Sequence, residues 1–167
     1  MNAKHRKIES ALQPTLFELE KPPEPVQSNI ERPFTLPGIL VGTSSFTASG
    51  WEGSFYPKGM RSRDFLGYYA RQFQTVEIDS TFYGTPSAST VASWSEKTPP
   101  DFIFAVKVPQ VITHEKVLVG CEAESDEFIE RMASLGDKLG PMLLQFPKFD
   151  KWALMSPDEL LTRLDSS

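Results

Sequence analysis

Thr75-Val76-Glu77-Ile78-Asp79-Ser80-Thr81-Phe82-Tyr83 is the most informative segment of this chain. Its alternation predicts a β-strand with Val76 and Ile78 on one face and two carboxylates, Glu77 and Asp79, on the other. Acids that face inward from a strand suit a polar cavity, such as the interior of a barrel near its mouth, where strand-end carboxylates often do chemistry. Taken alone, the stretch is also compatible with an edge or half-exposed strand whose acids are solvated.

Strand and helix signals alternate on both sides of this stretch, which predicts a parallel sheet with right-handed crossovers. Further strands are predicted at 39–43, 102–108 and 142–146, and helices are predicted from residue 62, at about 87–97, at about 125–139 and from residue 156. Four βα units could form an open doubly wound sheet or half of a (β/α)₈ barrel.

Hydrophilic residues on the inner face of every predicted strand favour the barrel, because strands covered on both faces of an open sheet are apolar on both sides. These inner residues are Ser44, Glu77 and Asp79, Lys107, and Gln145. A complete barrel takes about 250 residues. We therefore predict an α/β fold in which 38–167 form the N-terminal half of a TIM-barrel domain, truncated after about four βα units.

Residues 1–37 differ in composition from the rest of the chain. They hold six of its 14 prolines and no glycine, which predicts a disordered proline-rich tail that cannot bury enough apolar surface to offset its ordering entropy. Within it, Gln13-Pro14-Thr15-Leu16-Phe17 resembles the short peptides by which bacterial repair and replication proteins dock on the sliding clamp. A tail-mediated adaptor that binds the clamp through Gln13, Leu16 and Phe17 is therefore a weaker hypothesis.

Composition excludes several classes of protein. With 167 residues, 40% of them hydrophobic, the chain can form one domain with a core. A net charge of −5 with mixed signs argues against a general nucleic-acid surface. One cysteine excludes an intrachain disulfide and a multi-cysteine metal site. Neither a membrane span, a signal peptide nor a glycine-rich phosphate motif is evident, so we expect a cytoplasmic protein with no metal or cofactor.

Many short motifs resemble one family, the domain of unknown function 72. They are Gly42-Thr43-Ser44, Trp51 to Pro57, Val76-Glu77 with Thr81-Phe82-Tyr83, Trp94 before Thr98-Pro99, Phe102 to Lys107, Ile112-Thr113-His114, and Lys138-Leu139-Gly140 leading into Gln145-Phe146-Pro147. The resemblance implies a TIM barrel whose biochemical function is not established. The chain departs from that pattern by lacking everything after the fourth strand, and by having Asp79 where the resemblance implies a neutral polar residue.

Four residues are candidates for chemistry. Glu77 and Lys107 are predicted on neighbouring strands within salt-bridge reach, as an acid–base pair, as a carboxylate for substrate hydroxyls beside a cation, or as a buried structural ion pair. Asp79 lies nearer the strand's carboxyl end and is better placed to touch a ligand. His114, in the loop after the third strand, could be a general base or a histidine that merely caps the loop.

A second set of residues is a candidate for binding. Trp51 lies in a loop where aromatic and basic side chains alternate, which suits stacking on a sugar or base, or packing as a lid over the barrel end. Ser44, Tyr83 and Gln145 complete the predicted ligand-binding set.

Three classes of function remain open from the sequence. The leading hypothesis is a TIM-barrel enzyme acting on a small polar molecule, either sugar-like or phosphorylated. Its rival is a truncated, non-catalytic fragment, or a half-barrel that pairs with a second chain and self-associates through exposed sheet edges. The clamp adaptor is the third.

Overall fold

The computed structural model describes residue 32, residues 37–148 and residues 156–166. The remaining residues of the predicted tail, including Gln13, Leu16 and Phe17, lie outside the described part of the chain. Within that part, no helix is long and apolar enough to cross a membrane. The elements, in chain order, are helix α1 (Phe65–Tyr69), strand β1 (Thr75–Ile78), helix α2 (Ala88–Glu96), strand β2 (Ile103–Lys107), helix α3 (Glu122–Ala133), strand β3 (Leu139–Leu143) and helix α4 (Pro157–Ser166).

The three strands form one parallel sheet in the order β1-β2-β3. Sequential parallel strands joined by helices are the βα units of an incomplete TIM barrel, so the predicted fold class is confirmed. The outer face of the sheet is buried under the helices through Val76, Ile78, Phe104 and Val106. The alternate residues of β1 and β2 are partly buried and form the opposite, inner face.

The predicted first strand runs beside β1 without becoming a regular strand. The Val41 carbonyl accepts a hydrogen bond from the Gln74 N–H at 3.3 Å, and the Thr43 carbonyl accepts one from the Glu77 N–H at 2.9 Å. Gly42 allows this close approach, because a Cβ there would collide with the Thr75 backbone carbonyl.

The last strand begins earlier than predicted. The prediction placed it at 142–146, after a helix ending at about 139, but β3 spans Leu139–Leu143 and contains both Gly140 and Pro141. Gly140 lies where a Cβ would strike Ile103 and the Phe104 carbonyl, so its role is close strand packing and not helix termination. Pro141 is tolerated because β3 pairs only with β2 among the described strands, and an edge strand can lack a ladder N–H.

Only the first part of the segment 75–83 forms a strand. β1 ends at Ile78, and Asp79–Tyr83 is a 3₁₀-helix. The Thr81 hydroxyl lies 2.7 Å from the Ile78 carbonyl oxygen, which turns the chain back on the strand end. Asp79 therefore leaves the strand, and simple alternation does not set the direction of its side chain.

The helices follow their capping and apolar signals with two exceptions. Ser87 caps α2, its hydroxyl accepting from the Thr90 N–H at 3.2 Å, and Ser156 accepts in the same way from the Glu159 N–H in α4. Ser62, the residue from which the first helix is predicted, lies in a 3₁₀ turn at Ser62–Asp64 with no side-chain cap. Ile129 of α3 is apolar but 52% exposed, because it is one residue away from the buried face that Phe128, Met132 and Leu135 form.

Candidate functional site

Polar groups gather where β1 and β2 end at their carboxyl termini. We call Glu77, Asp79, Phe82, Lys107 and His114 the strand-end cluster. Glu77 is on β1, Asp79 and Phe82 are in the 3₁₀-helix that follows it, Lys107 is the last residue of β2, and His114 is in the connection after β2. The carboxyl ends of barrel strands are where the active sites of this architecture are built.

Lys107 pairs with Asp79 and not with Glu77. Its Nζ lies 3.4 Å from Asp79 Oδ1. The register explains this difference from the sequence prediction, because Glu77 lies opposite Ala105 and Lys107 is one inward position further along β2. The Lys107 side chain is 15% exposed and that of Asp79 is 48% exposed, so the carboxylate is the partner that solvent reaches.

Thr81 ties the two strand ends together. Its buried hydroxyl lies 2.6 Å from the Lys107 carbonyl oxygen and 2.7 Å from that of Ile78, and it accepts a hydrogen bond from the Lys107 N–H at 3.1 Å. These contacts continue the ladder beyond β1, where backbone pairing between the strands stops. They fix the backbone from which the Lys107 side chain extends.

The environment of Glu77 favours its protonated form. Desolvation by burial is the largest cause that raises its pKa above the ordinary 4.5, followed by the charge of Asp79. The charge of Lys107 lowers the pKa of Glu77 by less, and hydrogen bonding between the Glu77 and Asp79 carboxyls raises it further. A carboxyl group of this kind can hold and release a proton nearer neutral pH than an exposed glutamate.

Phe82 is the ring around which the cluster packs. Lys107 Nζ lies 4.6 Å from its centroid, a cation–π geometry. The His114 ring meets Phe82 edge to face with centroids 5.0 Å apart. His114 lies in a single π-helical turn, Val111–Glu115, a distortion that is frequent at functional sites.

Thr113 orients the histidine ring. Its buried hydroxyl lies 2.9 Å from His114 Nδ1 and donates to the Pro109 carbonyl oxygen at 3.3 Å. A hydroxyl has one proton, so the arrangement that satisfies both contacts has Nδ1–H donating to Thr113 and Nε2 left as the acceptor nitrogen.

The other predicted binding residues are distributed around the molecule. Tyr83 follows Phe82, meets its ring edge to face at 5.4 Å, and is 78% exposed. Ser44 and Gln145 are exposed, and neither points inward from a strand, since Ser44 follows the irregular first segment and Gln145 lies after the end of β3 at Leu143. Trp51 packs against Phe55 and Tyr56 at centroid distances of 5.3 and 6.1 Å.

Trp51 therefore belongs to an aromatic cluster beside α1. Phe55 contacts both Tyr68 and Tyr69, and the Tyr56 ring stacks on Phe65 at 4.1 Å. The Tyr56 hydroxyl donates to the Phe46 carbonyl, and burial raises the pKa of this tyrosine. These contacts correspond to the packing role considered for the Trp51 loop.

Sequence reasoning missed three residues that organise the site, namely Thr81, Phe82 and Thr113. Thr81 and Phe82 could have been found from their position, because they follow Glu77 and Asp79 closely in the sequence. Thr113 precedes His114, and its hydroxyl contact depends on a π-helical turn that no local pattern in the sequence indicates.

Comparison with known proteins identifies the family. The family described as protein of unknown function DUF72 matches residues 40–166. The chain is 38% identical over 95 residues to UPF0759 protein YecE of Escherichia coli, covering 57% of this chain and 33% of that protein. It is 32% identical over 107 residues to UPF0759 protein YunF of Bacillus subtilis, covering 59% of this chain and 38% of that protein.

Solved structures agree with the sequence matches. A DUF72 family protein from Thermotoga maritima matches with a TM-score of 0.60 and 33% identity, over 76% of this chain and 51% of that one. Another, from Enterococcus faecalis, matches with a TM-score of 0.54 and 27% identity, over 75% of this chain and 44% of that one. The chain thus spans between about one third and one half of the length of these relatives. It belongs to the DUF72 family, whose function is uncharacterised.

Proposed function

We propose that the strand-end cluster is part of the active site of an enzyme that acts on a small polar molecule, sugar-like or phosphorylated. The observation that carries the proposal is the convergence of Glu77, Asp79, Lys107 and His114 at the carboxyl ends of two adjacent parallel strands. Ionisable groups gathered at this end of a barrel are candidates for chemistry.

Each group has a role suited to its surroundings. Glu77, whose pKa is raised by burial and by Asp79, transfers a proton to or from the ligand. Asp79, the exposed partner of the ion pair, accepts hydrogen bonds from ligand hydroxyls. Lys107 holds Asp79 in place, and His114 offers Nε2 as a second proton acceptor.

From the sequence analysis, we also propose that the protein is cytoplasmic.

The rival role for these residues is structural, because an ion pair also orders a strand end and needs no ligand. The two accounts differ in what happens when one charge is removed. If the cluster is a site, Glu77→Gln keeps the fold and loses ligand binding. If the cluster is structural, the substitution changes stability alone.

The test is a ligand screen on the full 167-residue chain. Backbone and methyl NMR shifts are followed while monosaccharides, polyols and sugar phosphates are added, and melting temperatures are recorded in parallel. Glu96→Gln, an exposed glutamate at the end of α2, is the matched control. We expect a ligand that shifts cluster resonances in the wild type and in Glu96→Gln but not in Glu77→Gln. If no molecule in the screen shifts the cluster, the proposal is refuted, and altered melting of Glu77→Gln would then assign the cluster a structural role.

A half-barrel that works with a second chain is the second candidate. It is favoured by the open inner face of the sheet, where Leu143 is 43% exposed and Ile103 and Ala105 are only partly buried. In this version the second chain supplies further strands to the same site.

A further inference from the structure

The charges of the strand-end cluster select among the ligands that the proposed function allows. The cluster holds two carboxyl groups, Glu77 and Asp79, and one ammonium, that of Lys107. The ammonium is the covered member, with a side chain only 15% exposed that lies between Asp79 and the face of Phe82. An incoming molecule therefore meets carboxyl oxygens before it meets a positive charge.

This arrangement is unfavourable for a phosphate group. A phosphate monoester carries about −1.5 to −2 charges at neutral pH, and sites that bind one offer unpaired arginine or lysine groups or several free backbone N–H groups. Here Lys107 Nζ already pairs with Asp79 Oδ1, at a distance of 3.4 Å. A phosphate would have to break that pair and would then face the Asp79 carboxylate.

The same arrangement suits hydroxyl groups. A carboxylate accepts hydrogen bonds from hydroxyl donors, and a protonated carboxyl both donates and accepts. Asp79 is the accessible carboxylate, and the carboxyl group of Glu77, whose pKa is raised by burial and by the charge of Asp79, is the second acidic group of the cluster. Together they match the adjacent hydroxyls of a sugar or polyol.

An exposed aromatic ring contacts the cluster through Phe82. Tyr83 is 78% exposed, and its ring is held edge to face against Phe82, which itself contacts Lys107 and His114. The exposed Tyr83 ring is therefore accessible to a ligand. The C–H face of a sugar ring can cover an aromatic ring while its hydroxyls reach polar groups nearby.

We propose that the site takes a neutral polyhydroxylated molecule, a sugar or sugar-derived polyol, and discriminates against its phosphate esters, with Tyr83 as the stacking surface. This inference rests on the proposed function of the cluster. The sequence left open a sugar-like or a phosphorylated ligand, and this inference retains the sugar-like one.

The experiment compares matched pairs of probes on the full chain by NMR titration. Glucose is set against glucose 6-phosphate and ribose against ribose 5-phosphate, with shifts of the backbone amides of Glu77, Asp79 and Lys107 as the readout. We expect the neutral sugars to shift these amides at lower concentration than their phosphate esters. We also expect Asp79→Asn to reduce that preference, because it removes the charge that opposes phosphate.

Two tyrosine variants test the stacking surface. Tyr83→Ala should weaken binding of the neutral sugar about tenfold, and Tyr83→Phe should retain it, since stacking needs the ring and not the hydroxyl. Because Tyr83 is mostly exposed, neither variant is expected to unfold the chain, which the amide spectrum checks directly.

The outcomes separate the two proposals. Tighter binding of the phosphate esters at the same amides, lost in Lys107→Met, would overturn the ligand class and leave the proposed function standing. Equal sugar binding by Tyr83→Ala and the wild type would overturn the stacking role. If no probe of either class shifts the cluster, the proposed function fails and this inference falls with it.

Discussion

Thr81 connects the ends of the two strands that carry the cluster. One buried hydroxyl contacts the Ile78 carbonyl, the Lys107 carbonyl and the Lys107 N–H, and so links the strand that carries Glu77 to the strand that carries Lys107. Deleting such a hydroxyl leaves buried backbone groups unpaired, which costs more than the loss of an exposed hydrogen bond.

We predict that Thr81→Val destabilises the chain by about 1–3 kcal/mol, because valine fills the space without replacing the hydrogen bonds. Thr81→Ser keeps the hydroxyl and should recover most of the loss, leaving only the cost of the missing methyl. Urea denaturation of the three proteins measures both effects. Equal stability of the valine variant and the wild type would show that the Thr81 contacts carry no net stabilisation.

Glu77 is predicted to make stability fall as pH rises. Its pKa in the folded chain is raised above 4.5, so the folded state binds more protons than the unfolded state between the two pKa values. The free energy of unfolding then decreases with pH through that window. Glu77→Gln cannot ionise, so this loss of stability between acidic and neutral pH should be absent from the variant. Denaturation at several pH values tests this, with Glu96→Gln as the control that should track the wild type.

At the scale of elements, the parts predicted well are those decided by local chemistry. The alternation of strands and helices and the helix starts near residues 87 and 156 are indicated by neighbouring residues. The structure has alternating strands and helices from β1 onward, and Ser87 and Ser156 cap α2 and α4. The parts predicted poorly depend on contacts distant in sequence. β3 begins at Leu139 because Gly140 packs against Ile103, and a Gly-Pro pair by itself looks the same whether it ends a helix or lies in an edge strand.

In the candidate site, the sequence indicated which residues to consider but not how they pair. Its pattern and its resemblance to the family indicated the candidates, namely Glu77, Asp79, Lys107 and His114. The pairing of Lys107 with Asp79 was not predicted, because it depends on strand register and on the 3₁₀ turn that Thr81 stabilises. Register is a tertiary property, and a shift by one inward position changes which acid the lysine meets.

Ser87 provides a test at the level of one helix. Its side chain accepts from the Thr90 N–H at the start of α2. We predict that Ser87→Ala costs about 1 kcal/mol and that Ser87→Asp, which retains a capping oxygen, costs little. Thermal melts of the three proteins measure the difference. An alanine variant as stable as the wild type would mean that water satisfies the first turn of α2 equally well.

In the molecule as a whole, the described sheet ends in an edge on each side. Residues 41–43 hydrogen-bond to the β1 side and form one edge. β3 forms the other edge, where Leu143 and Leu144 are exposed at 43% and 36%. Open strand edges next to apolar side chains promote pairing with another chain.

We therefore predict that the chain self-associates at micromolar concentration. Replacing Leu143 with lysine should weaken this association, because a charge at the edge opposes strand pairing. Val119→Lys, at an exposed apolar residue in the connection before α3, is the matched control and should leave it unchanged. Sedimentation velocity over a range of concentrations measures the outcome. A monomer at every concentration would show that the edges are protected.

Glu77 and Asp79 lie together at one strand end with Lys107 beside them, and carbon-detected NMR titration of the side-chain carboxyls tests this arrangement. We predict that the pKa of Glu77 lies above its ordinary 4.5, falls in Asp79→Asn and rises in Lys107→Met, because the Asp79 charge raises it and the Lys107 charge lowers it. Opposite shifts from the two variants would establish that all three groups share one site. A Glu77 carboxyl that titrates at its ordinary pKa and responds to neither substitution would contradict this account.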